Sequence, residues 1–371
     1  MHVVQIGFHA DPQRRPPAQL LRDWYTLGYV AEAAVAGGNR VSVLQACFNR
    51  DVVRQRLVDY HFVPPDGAYA FGGGEFAARL ASLQPDVVHV HGLGFHRDVL
   101  ALRARLPTVP ILLQDHADRP PRFWRRGLWR RGFDAVHGIA FCAREQARPF
   151  RAARLLPSSV EIFEITQWSV PFTPGDQAEA RAATGLGGDP CLLWVGHLNA
   201  NKDPLTVLDG LSIAIPALPG AVLWCCFGNA PLESQVRARI DGDPRLRGRV
   251  HLLGTQPHER MEKLLRAADL FVLGSHREGS GCALIEAMAC GLPPVVTDIP
   301  SFRTLTGDAG VGRLWRVADA ASFANALTAA AQAPRAEMRA ATRAHFDATV
   351  SPQALGRQFD SIYRRLRGTR A

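Results

Sequence analysis

The sequence predicts an α/β protein made of two parallel-sheet, Rossmann-like domains. Short apolar runs alternate with stretches of helical periodicity, the pattern of parallel strands joined by crossover helices. That scheme starts afresh after an irregular segment, 157–174, which holds three prolines. A chain of 371 residues is also long enough for two cores of ordinary size.

In the first half the apolar runs place strands at 3–8, 41–46, 87–91, 111–114 and 135–141, with helices at 19–36, 74–83 and 95–106 between them. The second half places strands at 191–195, 222–227, 250–253, 270–273 and 294–297, and helices at 204–215, 231–240, 257–267 and 281–290. From Ser351 a Ser-Pro cap opens a last helix, whose Leu355, Phe359, Ile362, Tyr363 and Leu366 form one apolar stripe. Three segments follow: domains over 1–170 and 171–350, and a terminal helix over 351–371. Gly72-Gly73-Gly74 reads as a short loop.

Composition narrows the function classes. Apolar content of 47% and charged content of 21% suit a globular protein, and no apolar stretch is long enough for a membrane span. The N-terminus reads as a first strand rather than a signal peptide. Seven cysteines show neither metal-ligand spacing nor a disulfide framework, and Cys47, Cys142, Cys191, Cys225 and Cys226 read as buried thiols suited to a reducing cytoplasm. The net charge of +9 comes almost wholly from arginine, since only Lys202 and Lys263 are lysine. The arginines are dispersed and no nucleic-acid module is present, so an anionic substrate or an anionic membrane surface ranks above nucleic acid. The segment 122–131 packs five arginines among aromatics, with Trp124 and Leu128 on one helical face. It reads as a packed helix with a solvated face, or as a basic helix for peripheral membrane contact.

The strongest motif is Glu278-Gly-Ser-Gly-Cys-Ala-Leu-Ile-Glu286, followed by Ala-Met-Ala-Cys-Gly-Leu-Pro-Pro. Two carboxylates flank a glycine-bounded turn that opens a helix, and Gly291 with Pro293 ends it. Backbone N–H groups at such a helix start favour a phosphate, and the carboxylates suit hydroxyls on either side, which together describe a sugar nucleotide. Upstream, Val195-Gly-His-Leu-Asn-Ala-Asn-Lys-Asp-Pro204 offers Lys202, a compact cation suited to a diphosphate oxygen. These segments resemble the C-terminal half of family-4 retaining glycosyltransferases, strongly over about 190–305.

The resemblance implies the GT-B fold, with two Rossmann-like domains facing a central cleft and the last helix crossing back to the N-terminal domain. It implies a nucleoside-diphosphate sugar donor, UDP- or GDP-linked, a hydroxyl acceptor such as a glycan, lipid-linked sugar or small metabolite, and no cofactor or metal. Lys202 and the N–H groups of Ser280–Cys282 would meet the diphosphate, with Gly279 and Gly281 admitting the backbone close to it. Glu286 would bind the ribose hydroxyls and Glu278 the transferred sugar. His116, in Gln114-Asp115-His116-Ala-Asp118, would sit by the reacting sugar, making His116, Glu278 and Lys202 the catalytic candidates.

Two departures from the family pattern stand out. His197 occupies the position of an arginine that usually contacts the diphosphate. The loop after the first strand lacks the family's Gly-Gly pair and carries Arg14 and Arg15, which could reach an anionic group or be solvated. By residue type His89, His91, Asp115 and His116 also suit zinc, a reading that the resemblance disfavours. The rival functions are a sugar-nucleotide epimerase or hydrolase on this fold, and a degenerate, non-catalytic sugar-nucleotide-binding subunit.

Overall fold

The computed structural model describes residues 1–65 and 74–368, so Gly72 and Gly73 lie outside the described residues. The chain divides into two compact units. One comprises Met1–Ser169 with Pro352–Ala371, the other Val170–Ser351.

In the first unit the strands are β1 (His2–Gly7), β2 (Arg40–Ala46), β3 (Asp51–Gln55), β4 (Val58–Val63), β5 (Val87–His91), β6 (Ile111–Gln114), β7 (Gly138–Phe141) and β8 (Glu161–Glu164). They form one sheet in the order β3-β4-β2-β1-β5-β6-β7-β8, parallel except where β3 runs antiparallel to β4. Strands covered on both faces read as continuous apolar runs, as in β5, where Val87, Val88 and Val90 are fully buried. Phe76, Leu80, Val99, Leu102, Phe133 and Phe150 from the flanking helices share a core with Ile6, Val90, Leu113 and Phe141.

The sequence did not announce the β3–β4 hairpin. Its turn residues, Arg56 and Leu57, both have positive φ, at 47° and 66°. This is the backbone of a tight hairpin turn usually signalled by Asn-Gly, here without either residue. Other differences are local. The helix expected over 19–36 breaks at Trp24 (φ −103°, ψ 53°) into Pro17–Asp23 and Tyr25–Ala36. The strand expected from 135 starts at Gly138, because the preceding helix runs to Asp134. The supposedly irregular 157–174 contributes edge strand β8.

The last helix, Pro352–Gly368, packs on the helix Tyr25–Ala36. Contact there is close: a Cβ on Gly356 would lie 2.4 Å from the Ala33 carbonyl oxygen and 2.5 Å from the Gly37 nitrogen. Leu355, Phe359, Tyr363 and Leu366 of its apolar stripe are fully buried.

The second unit holds β9 (Cys191–Val195), β10 (Val222–Cys226), β11 (Val250–Gly254), β12 (Leu270–Leu273), β13 (Pro294–Thr297) and β14 (Arg313–Trp315). Their order is β11-β10-β9-β12-β13-β14, all parallel. The strand order reverses between β9 and β12, and the crevice at the carboxyl ends of strands at such a point is where open α/β sheets take ligands. All seven cysteines are free, and every one except Cys282 is buried. Burial pushes the Cys191, Cys226 and Cys290 thiols up to about 12, which leaves them inert at neutral pH.

Candidate active site

In the second unit the loops leaving β9 and β12, on the two sides of the switch point, carry the motif residues. The β9 loop is folded by its own polar groups: the Asn199 carboxamide oxygen accepts from the Lys202 N–H at 3.0 Å. Asp203, at φ 46°, caps the helix Pro204–Ala214 by accepting from the Thr206 N–H at 3.3 Å. Its other oxygen meets His276 Nε2 at 3.0 Å. The His276 N–H donates to the Asn201 carbonyl at 2.7 Å, and the Asn201 side chain donates to the Arg277 carbonyl at 2.9 Å. The two loops are thereby held side by side.

Lys202 and Glu278 meet across this joint. The ammonium donates to Glu278 Oε1, which also accepts from the Ser275 hydroxyl at 2.6 Å. Both side chains are mostly shielded, 17% and 13% exposed, so the pair is screened less than a surface ion pair. The helix Cys282–Ala289 follows at once, opened by Gly281 at φ 73°. A Cβ on Gly281 would lie 2.5 Å from the Phe302 ring, so both its conformation and its surroundings require glycine. Gly291, at φ 68°, follows the helix end, where the Leu292 N–H bonds back to the Ala287 carbonyl at 2.9 Å.

Glu286 lies within that helix at 4% exposure, so it is not a surface charge. Its Oε1 is 3.9 Å from Nδ1 of His258, whose ring stacks on Phe172. Burial holds the His258 pKa below the ordinary value, which favours the neutral ring. Ser280 is buried, whereas Cys282 is exposed at the helix start. His197 is exposed, and its Nδ1 accepts from the Asn229 N–H at 3.2 Å. That bond assigns the proton of a neutral ring to Nε2, so His197 offers one neutral donor where the family pattern has a cation.

The first unit carries a histidine cluster. His91, at the end of β5, and His116, after β6, share a hydrogen bond of 3.2 Å between Nδ1 and Nε2 respectively. Asp118 ties the two loops by accepting from the Leu93 N–H at 3.0 Å and the His116 N–H at 3.3 Å. The Asp115 carboxylate accepts from the N–H groups of Ala117 and Asp118, so it serves its own turn. Among the described residues no group of His, Cys, Asp and Glu is arranged to hold a metal ion. In the loop after β1, Arg15 pairs with Asp11 and Asp23, at 2.7 Å and 2.8 Å. Arg14 lies over the Phe48 ring.

His89 is fully buried, with Nδ1 2.9 Å from the Tyr363 hydroxyl on the last helix. Burial pushes its pKa down to about 3 from the ordinary 6.5, and His91 moves in the same direction. The unfolded chain therefore binds a proton that the folded one refuses. Stability is intact above about pH 6.5 and falls as the pH drops toward 3, by about 1.4 kcal/mol per pH unit for such a histidine. Urea unfolding at pH 7 and pH 5 should show a loss of about 2 kcal/mol for each such histidine, and His89→Gln should remove the share that belongs to His89. An unchanged slope in the variant would assign the loss to other groups.

Two Rossmann-like units of parallel strands, one with a lysine, two carboxylates and a glycine-opened helix at its switch point, define a glycosyltransferase of GT-B fold. Residues 176–345 match the family described as Glycosyl transferases group 1. It is 27% identical over 289 residues to the GDP-mannose:cellobiosyl-diphosphopolyprenol alpha-mannosyltransferase of Xanthomonas campestris, covering 75% of this chain and 74% of that protein. It is 32% identical over 164 residues to the D-inositol 3-phosphate glycosyltransferase of Nocardia farcinica, covering 43% of this chain and 36% of that protein. Among solved structures it resembles sucrose-phosphate synthase from Thermosynechococcus elongatus, with a TM-score of 0.70 at 18% identity over 99% of each chain. It also resembles Anabaena HepE in complex with UDP and glucose, with a TM-score of 0.67 at 14% identity, over 98% of this chain and 100% of that one.

No helix among the described residues is long and apolar enough to cross a membrane. The helices Ala320–Gln332 and Arg335–Thr349, and strand β14, had no counterpart in the sequence reading. His258 was missed as a side chain beside Glu286. Its signal was present, since it starts the helix that follows β11.

Proposed function

We propose that this protein is a retaining, family-4 hexosyltransferase that takes its sugar from a nucleoside-diphosphate sugar and passes it to a hydroxyl. The observation that carries the reading is the Lys202–Glu278 pair between the switch-point loops, beside the helix opened by Gly281 and the buried Glu286. In this reading Glu286 accepts from the ribose hydroxyls, and Lys202 turns to the diphosphate. The N–H groups of Ser280–Cys282 complete the anion site, with Gly279 and Gly281 leaving room for it. Glu278 and His116 hold the transferred sugar, and His197 donates from Nε2.

The reaction breaks the bond from the anomeric carbon to the diphosphate oxygen and forms one to the acceptor oxygen on the same face. The acceptor proton passes to the departing phosphate. Charge grows on the diphosphate as its bond breaks, so Lys202 and the helix start act more strongly in the transition state than before it. No protein nucleophile, metal or cofactor is required by this scheme, and the cytoplasm, which supplies sugar nucleotides, suits it.

The GDP-mannose donor and diphosphopolyprenol-linked acceptor named for the Xanthomonas relative favour GDP and a lipid-linked sugar acceptor here. UDP is the alternative donor base, as in the HepE complex. His197, a neutral donor in a cationic position, favours the non-catalytic binding subunit as the second reading. Calorimetric titration with GDP, UDP and ADP tests the donor site. One nucleotide should bind, and Glu286→Ala should weaken it by about tenfold to a hundredfold, the loss of one buried carboxylate acceptor. A folded protein that binds none of the three would sink the donor assignment. Binding without turnover would favour the second reading, and products formed without acceptor would favour an epimerase or hydrolase.

A further inference from the structure

The connection from β6 to β7, which carries His116, continues into an exposed basic surface that the reaction does not use. Between Asp118 and Asp134 there is no acidic residue but six arginines: Arg119, Arg122, Arg125, Arg126, Arg130 and Arg131. All six are exposed, and none makes an ion pair among the described residues. The helix Arg126–Asp134 buries Trp129, Gly132 and Phe133. Trp124 and Leu128 do not lie on one helix, as their shared face was expected to require. Phe123–Arg125 form a separate 3-10 turn before that helix, and none of the three is buried. Phe123 is 75% exposed and Trp124 60%, with their rings edge to face at 5.0 Å. The Arg122 guanidinium lies over the Trp124 ring.

We infer that this surface docks on an anionic phospholipid bilayer. Guanidinium groups bind lipid phosphates by paired hydrogen bonds and are only weakly hydrated, so they shed water at little cost. Aromatic rings flanked by such cations settle at the headgroup level, the one environment that takes both a ring and its charged neighbours. Two large exposed rings side by side are otherwise a liability in water. A single-stranded nucleic acid would use the same charges, but the turn offers one tight edge-to-face pair rather than a row of separate stacking platforms. The surface belongs to the same chain segment as His116, so docking would bring that loop to the membrane. Its purpose rests on the lipid-linked acceptor reading, whereas the binding itself requires neither donor nor acceptor.

The experiment is co-sedimentation of the purified protein with vesicles of equimolar phosphatidylglycerol and phosphatidylcholine, against vesicles of phosphatidylcholine alone. The protein should partition onto the first and not the second. Replacing Arg122, Arg125 and Arg126 together by alanine should lower the partition about a hundredfold, given the contribution of each basic residue near an anionic surface. A Phe123→Ser/Trp124→Ser variant should bind more weakly and lose what binding is left in high salt, because only screened charge attraction would hold it. All the replaced side chains are exposed, so unchanged melting temperatures confirm that the variants are folded. Absence of wild-type binding, equal binding by the variants, or tighter capture of a single-stranded RNA oligonucleotide than of the vesicles would overturn the inference. Each outcome is read without turnover, so failure here leaves the transferase reading intact, and the converse.

Discussion

Lys202→Ala is expected to lower kcat by about a hundredfold to a thousandfold, the usual effect of removing one preorganised charge from a developing anion. Glu278→Gln should also suppress transfer, but it should act on binding in the opposite sense. In the free protein the Lys202 ammonium is engaged by Glu278, in a joint that also holds Ser275. On the proposed donor-site reading, a nucleoside diphosphate draws Lys202 away from its carboxylate. Removing the charge of Glu278 releases the lysine, so bare GDP or UDP should bind Glu278→Gln as tightly as the wild type or more so. The sugar nucleotide should bind it more weakly, because its sugar loses an acceptor. A purely structural ion pair makes a different prediction. Loss of either partner would then loosen both loops, lower the melting temperature and weaken nucleotide and sugar nucleotide alike. Calorimetric titration of both ligands into both variants separates the two cases. Lys202→Arg should not rescue, since a planar fork cannot replace a compact ammonium in a space set by the surrounding loops.

The parts of this site that were legible in the sequence are those whose residue types are demanded locally. Gly281 is readable because only glycine tolerates its left-handed backbone and the ring of Phe302 behind it. Lys202 is readable because lysine is so rare in this chain. The apolar runs gave the interior strands because parallel strands are apolar on both faces. Three features were hidden for physical reasons. The Lys202–Glu278 contact joins residues far apart in sequence and depends on β9 and β12 being neighbours, which no local pattern encodes. The hairpin of β3 and β4 lies at a sheet edge, where β3 is mostly exposed and carries Asp51 and Arg54, and its turn lacks glycine. The tautomer of His197 is set by the backbone N–H of Asn229, from a different loop. The pairing of Arg15 with Asp11 and Asp23 was hidden similarly, since the loop folds to bring these carboxylates to it.

Gly356→Val should produce the largest loss of stability, and the loss should be confined to the first unit. The apolar stripe of the last helix fixes which face is buried, but the closeness of its approach is set by small residues. Gly356 and Gly37 face each other so tightly that a Cβ on Gly37 would lie 2.2 Å from the Gly356 carbonyl oxygen. The atoms met by a Cβ on Gly356 belong to the backbone of Ala33, Ala36 and Gly37, which no rotamer change moves aside. The helix Pro352–Gly368 would have to back away, uncovering Phe359 and Tyr363 and pulling the Tyr363 hydroxyl from His89. Overpacking of this kind costs about 3 kcal/mol, at the upper end of its usual range. For a unit of this size that corresponds to a fall in melting temperature of about 6 to 12 °C. Scanning calorimetry should show one transition moving down, while the transition that added nucleotide raises stays in place, because the residues proposed to bind the donor nucleotide all lie in Val170–Ser351. A variant of the exposed Gln353, such as Gln353→Val on the same first turn, should leave both transitions unmoved. Should Gly356→Val melt like the wild type, the close approach of these two helices would be incidental to the fold, and the stripe of Leu355, Phe359 and Tyr363 alone would hold the last helix in place.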